Sequence, residues 1–320
     1  MSKYNIDLDY VIPNIDISWD ELGEIEAEAN KIISENKESK ENLALAYLKK
    51  AQITRKGAGG HTCGYIFYDE TADFFLSQEK REIKRLLEKA LELSPDMPEA
   101  LMQLGLLNNH WGLLNDKRAK AIKFISKAIQ LKPDYAAAFN NRAMLFNGHG
   151  FFDDENDKEN PEKNRCYYRN AVADLTEAIK LRPLDALYYI NRATFHSRLG
   201  EQKEAIEDYS SAMNYASGTL KDRLNTEVMI LNLRGKEYTE LKDYGKAIDD
   251  FSESLRLVPE YPDYKEDTLL LRGKAYYLVG EKNRAKADIE EYLNRKHRET
   301  DFAGRKKIHE LTGIKPEDIL

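Results

Sequence analysis

Along most of the chain apolar residues recur at three- and four-residue intervals with charged residues between them, the period of helices that bury a single stripe. The stretch LNLRGKEYTELKDYGKAIDDFSESLRLVP, residues 231–259, shows this pattern twice in succession. Gly235 and Tyr238 sit one turn apart in its first half, Ala247 and Phe251 one turn apart in its second, and Pro259 closes it. Small residues let two helices approach closely while large ones fill the space beside them, so the stretch predicts one antiparallel helical hairpin.

The hairpin recurs. About six units carry a small residue at the equivalent place of a first helix, at Ala51, Gly105, Ala143, Ala193, Gly235 and Gly273. The second helices carry their own pairs, Ile83 with Ala90, Ala121 with Ala128, Ala171 with Ala178, Ala205 with Ala212, Ala247 with Ser254 and Ala285 with Tyr292. Pro95, Pro133, Pro183 and Pro259 end helices, because proline lacks an N–H and restricts the residue before it. Ser217 stands where the fourth unit would have its proline.

These residues resemble the tetratricopeptide repeat (TPR) family, most closely in NRATFHSRLGEQKEAIEDYSSAM, LRGKEYTELKDYGKAIDDF and LRGKAYYLVGEKNRAKADI. The resemblance implies an all-α fold, a right-handed α-solenoid of TPR hairpins with N- and C-terminal capping helices. The expected organisation is a lead-in and capping helix over 1–42, repeats over 43–297, and a C-terminal capping helix over 298–320. Ser18 and Glu21 form a capping-box start for the first of these helices, expected to run to about Asn36, and the last is expected near Thr300–Leu311. Long inserts are expected near 57–78 and 147–168, where a short turn would otherwise join paired helices. Extra residues before the fifth and sixth units come in nearly whole helical turns, predicting longer first helices there.

Self-comparison gives a sharper expectation. Arg142, Arg192, Arg234 and Arg272 precede the small residue of the first helix in units three to six, and Asp174, Asp208, Asp250 and Asp288 follow that of the second by three. The first two units lack both. This joint presence predicts bidentate Arg–Asp pairs between packed helices.

Composition narrows the function classes. Charged residues make up 33% and the formal net charge is −7, which argues against a chain devoted to neutralising nucleic-acid phosphate or anionic lipid. No nucleic acid or membrane partner is expected, no apolar run reaches membrane-spanning length, and the start does not read as a secretory signal. Cys63 and Cys166 offer no disulfide framework, so a reducing cytoplasm is the expected setting.

Candidate chemistry is sparse. Gly57, Gly59, Gly60 and Gly64 lack the Lys-Ser/Thr ending of a phosphate loop. His61 and Cys63 lack the further spaced ligands that zinc needs. The acidic run Asp153, Asp154, Glu155, Asp157, Glu159 lacks the glycine and terminal glutamate of a calcium loop. His196, in the slot of Phe146, Tyr238 and Tyr276, reads as a packing residue. No catalytic residue, metal or cofactor is expected.

The resemblance instead implies a binding surface on the concave face lined by first helices. Register places Asn109, Asn140, Asn141, Asn191, Arg198, Asn232, Lys236 and Lys274 there. Amides donate and accept, which suits an extended peptide backbone, and the cations favour an acidic segment. The expected function is therefore a non-enzymatic scaffold binding a peptide segment or partner protein. The alternative is a regulatory protein or enzyme acting through a pocket formed by the two inserted stretches.

Overall fold

The computed structural model describes residues 19–57, 73–109, 115–146, 161–216, 220–257 and 262–295, together with 309 and 312. The expectations for Ser18, Gly59, Gly60, His61, Cys63, Gly64, the acidic run 153–159, Ser217 and Pro259 fall outside these residues, as does the C-terminal helix apart from His309. All regular elements among the described residues are α-helices. They fall into two compact units, Met1–Pro183 and Leu184–Leu320.

The first unit contains α1 (Trp19–Glu35), α2 (Lys40–Gly57), α3 (Asp73–Leu93), α4 (Pro98–Asn109), α5 (Asn115–Leu131), α6 (Ala136–Leu145) and α7 (Pro161–Leu181). α2 with α3, α4 with α5, and α6 with α7 form hairpins, and α1 lays Ile25 and Ala29 against the start of the row. The hairpins bury one another's apolar stripes. Leu48, Ala51, Leu86, Leu87, Ala90 and Leu104 form one core, and Met102, Ala121, Ile125, Ala128, Ala138 and Leu145 the next.

The second unit repeats the arrangement with α8 (Ala186–Leu199) and α9 (Gln202–Tyr215), α10 (Leu220–Glu240) and α11 (Tyr244–Leu257), and α12 (Pro262–Leu278) and α13 (Lys282–Arg295). α10 and α12 run to 21 and 17 residues against 14 for α8, the lengthening that the extra whole turns predict. Asp185 caps α8, accepting a hydrogen bond from the Leu187 N–H at 3.2 Å, which satisfies one of the donors that a helix start leaves open.

Small residues sit where helices cross most closely. A methyl group on Gly235 would meet the Phe251 ring at 2.6 Å, and one on Gly105 would meet Ile125 at 2.7 Å. The three hairpin turns of the second unit share one design. The N–H of Gly200, Lys242 and Gly280 bonds back to the carbonyl of Ser197, Thr239 and Tyr277, and the following N–H to that of His196, Tyr238 and Tyr276, an arrangement that closes off the last helical carbonyls. All three residues have positive φ, and only Lys242, at 61°, carries a side chain into that conformation, which glycine adopts freely.

Helices take up part of both inserted stretches. α3 begins at Asp73 and α7 at Pro161, inside the stretches 57–78 and 147–168, and each is 21 residues long. Proline at the first helical position followed by Glu162 is a favoured helix start, so α7 extends back before its pairing region. Tyr167 on that extension stacks on Phe146 with ring centroids 6.1 Å apart, and Arg118 of α5 lies 5.6 Å from its ring centre. Both contacts are of kinds that favour close aromatic packing.

Candidate functional site

The expected Arg–Asp pairs form in all four hairpins. Arg142, Arg192, Arg234 and Arg272 each donate through Nε and Nη2 to both carboxylate oxygens of Asp174, Asp208, Asp250 and Asp288, at 2.7–2.9 Å. Partners are sixteen residues apart for Arg192, Arg234 and Arg272 and thirty-two apart for Arg142, so the pair forms at the same slots despite the longer sequence between them. A third nitrogen reaches back to the preceding hairpin. Nη1 of Arg142, Arg234 and Arg272 donates to the Oγ of Ser126, Ser210 and Ser252.

The aspartate hydrogen bond raises the guanidinium pKa of Arg192 and Arg234 against the opposing effect of burial. For Arg272 burial opposes the charge, and Asp288 more than offsets it. In the second hairpin the slots of this pair hold Leu104 and Phe124, which pack together in an apolar core. These ion pairs are therefore framework, holding first helices at a fixed distance from second helices.

The first helices of the second unit are also tied to one another. Ser197 on α8 donates to Glu237 on α10 at 2.6 Å, and Thr268 on α12 donates to Asn232 on α10 at 3.0 Å. Lys236 and Lys274, each one residue beyond the glycine of its helix, thus occupy equivalent places on adjacent first helices. Lys236 is exposed and Lys274 half-buried, and neither has an ion-pair partner among the described residues. Arg198 on α8 is half-buried.

The remaining expected residues divide. Asn232 is half-buried and engaged with Thr268, while Asn191 is 3% exposed. In the first unit Asn140 is 5% exposed, and Asn141 is half-buried with its amide 3.6 Å from Met102 Sδ. The side chain of Asn109 lies outside the described residues. Asn140 and Asn191 thus sit within the packing between helices, whereas Lys236 is exposed and Lys274 and Arg198 are half-buried.

Two polar groups escaped the sequence reading. Glu237 is 6% exposed, and burial pushes its carboxyl pKa up while the Ser197 hydrogen bond pulls it partly back, the two effects opposing one another because only the second favours the charged form. Tyr209 is buried with its hydroxyl 3.4 Å from Thr194 Oγ, and burial raises its phenol pKa. His196 packs beside Glu201, 2.7 Å from Nδ1, and Asp208, 3.9 Å from Nε2. Among the described residues no three His, Cys, Asp or Glu side chains are grouped to hold a metal ion, and no helix is long and apolar enough to cross a membrane.

A family model described as tetratricopeptide repeat matches residues 230–261, across α10 and α11. Residues 230–261 thus match a tetratricopeptide repeat. The chain is 32% identical over 118 residues to small glutamine-rich tetratricopeptide repeat-containing protein 2 of Saccharomyces cerevisiae, covering 31% of the chain and 34% of that protein. It is 35% identical over 92 residues to translocon at the outer membrane of chloroplasts 64 of Pisum sativum, covering 29% and 14%. The chain therefore spans about a third or less of these relatives. Among solved structures it is similar to PilF of Pseudomonas aeruginosa, with TM-score 0.54, 13% identity and coverage of 85% of this chain and 98% of that one. It is also similar to the Cut9–Hcn1 hetero-tetramer of the APC/C, with TM-score 0.53, 14% identity and coverage of 91% and 46%. At such identities these structures speak to the fold of the TPR repeats alone.

Proposed function

We propose that this TPR chain is a non-enzymatic scaffold that binds a peptide segment or partner protein, and that the first-helix face of its second unit is the binding surface. The ligand is an acidic segment. One observation carries this reading: Lys236 and Lys274 stand at equivalent places on adjacent first helices without ion-pair partners among the described residues, with Arg198 on the next helix of the row. Unmatched cations on neighbouring helices attract carboxylates, and amides such as Asn232 can both donate to and accept from a peptide backbone.

Asn109, Asn140, Asn141 and Asn191 are assigned a secondary role, with the burial of Asn140 and Asn191 leaving them to shape the face from beneath. Residues 1–42 and 298–320 flank the repeats as caps, since a terminal repeat has no neighbour to bury its face. The proposed setting is the cytoplasm, supported by a chain with two cysteines outside any CxxC pair.

The test is selection from a random peptide library on the full chain, compared with the Lys236→Glu/Lys274→Glu variant. Selected peptides should be rich in Asp and Glu, and the variant should retain its helical circular dichroism but lose them. Equal selection by both proteins would remove the site from this face.

A further inference from the structure

Glu237 stands two residues beyond Gly235, at the place held by Leu145, Phe195 and Ala275 in other hairpins. Those three residues are 2%, 1% and 0% exposed, so the position is an interior one in those hairpins, and half-buried at Ile53 and Leu107 in the first two. A carboxylate there forfeits hydration, and local rules broken in this way mark functional positions. Its Oε1 accepts from Ser197 at 2.6 Å. Its Oε2 has no hydrogen-bond partner among the described residues, yet it is not among the buried polar atoms sealed from solvent without one. One oxygen is thus satisfied internally and the other retains contact with the outside.

Helix geometry says where that contact lies. Two residues along a helix turn the side chain by roughly 200°, so Glu237 points away from the Gly235 side that meets Phe251 on α11. It lies on the flank of α10 facing α8, immediately after the exposed Lys236. The groups around it are Lys236 and Glu240 on α10, Ser197 on α8, and Tyr209 on α9, which Arg198 of α8 also influences. Lys236 lowers the carboxyl pKa while Glu240 raises it, so charge on the same helix leaves the buried carboxylate without full compensation.

Resting on the reading above, we infer that Glu237 is a specificity residue: its free carboxylate oxygen receives one lysine or arginine side chain of the bound segment, while Lys236 and Lys274 hold acidic residues flanking that position. The ligand class is accordingly an acidic peptide punctuated by a single basic residue at a fixed place. A cation delivered to a half-satisfied, largely dehydrated carboxylate forms a charge-assisted hydrogen bond, whereas a neutral side chain leaves that oxygen unmatched.

Peptide-library selection on the full wild-type chain and on Glu237→Gln decides it. The amide keeps an acceptor for Ser197 and the side-chain shape, so the fold has no reason to change. Wild type should enrich Lys or Arg at one position within an acidic sequence, and Glu237→Gln should enrich the same acidic positions with the basic preference lost. Binding of the wild-type-selected peptide should weaken as pH falls through the raised Glu237 pKa, and the loss should be shallower in the variant, where only the peptide's own carboxylates titrate. Acidic peptides without a fixed basic position, or a basic preference retained by Glu237→Gln, overturn the inference while leaving the acidic-segment reading intact. If neither protein enriches any peptide, both fall.

Discussion

Arg234 grips Asp250 through two parallel hydrogen bonds, at 2.8 and 2.7 Å, and extends its third nitrogen 3.0 Å from Ser210 of the preceding hairpin. One guanidinium therefore joins three helices, α9, α10 and α11, at a point where both charges are largely removed from water. Removing one partner strands the other. Asp250→Ala should destabilise the second unit by about 2–4 kcal/mol, a little under the cost of breaking a fully buried pair, read as a lowered urea midpoint. The second hairpin suggests the rescue. Replacing both partners as Arg234→Leu/Asp250→Phe, the residue types of Leu104 and Phe124, should recover at least half of that loss, since an apolar pair strands no charge.

Gly235 and Gly273 occupy the same slot and should respond oppositely to alanine. At Gly235 the added methyl collides with the Phe251 ring, while at Gly273 its nearest neighbours are at an ordinary 3.5 Å. Gly235→Ala should cost about 1–3 kcal/mol through overpacking, and Gly273→Ala should stabilise by about 0.5–1 kcal/mol through helix propensity. Thermal unfolding of the two variants should bracket wild type.

Lys242 holds a left-handed conformation that Gly200 and Gly280 adopt freely in the sister turns. Lys242→Gly should stabilise by about 1 kcal/mol, by relieving the clash between its Cβ and the backbone. Chemical denaturation reads the effect directly, and a loss of stability would show that the Lys242 side chain contributes more than the strain costs.

Burial pushes the Asp185 carboxyl up to about 6, against the pull of the Leu187 N–H. Because the folded value lies above the unfolded one, the folded chain holds the proton more tightly. This contribution to stability is present below about pH 4 and fades as pH rises through 6, by on the order of 2 kcal/mol. Asp185→Asn keeps a capping oxygen without a charge, so it should match wild type near about pH 4 and exceed it near about pH 7.5 by that amount. Urea midpoints at the two pH values check the sign.

The hairpin architecture was legible because its signals are local and repeated. Gly235 with Phe251, and Arg192, Arg234 and Arg272 with their aspartates, all sit sixteen residues apart, an offset that reflects direct contact. The serine that completes the bonding of Arg142, Arg234 and Arg272 was equally visible in principle, since Ser126, Ser210 and Ser252 all follow the small residue of their helix by five. Glu237 was not legible. In a one-dimensional pattern it is another charged residue between apolar ones, and only the neighbouring α8 makes its flank interior. Register alone likewise placed Asn140 and Asn191 on an open face, whereas the overlap of adjacent helices buries them. The start of α7 at Pro161 was hidden because a polar run reads as loop until the helix beyond it is known to extend backward.

Recognition of an acidic segment is tested most directly by titrating a library-selected acidic peptide into wild type and into the Lys236→Glu/Lys274→Glu variant by calorimetry at one salt concentration. Wild type should bind, and the variant should lose affinity by roughly tenfold or more with unchanged circular dichroism. Equal affinity for the two proteins would contradict a binding role for these lysines.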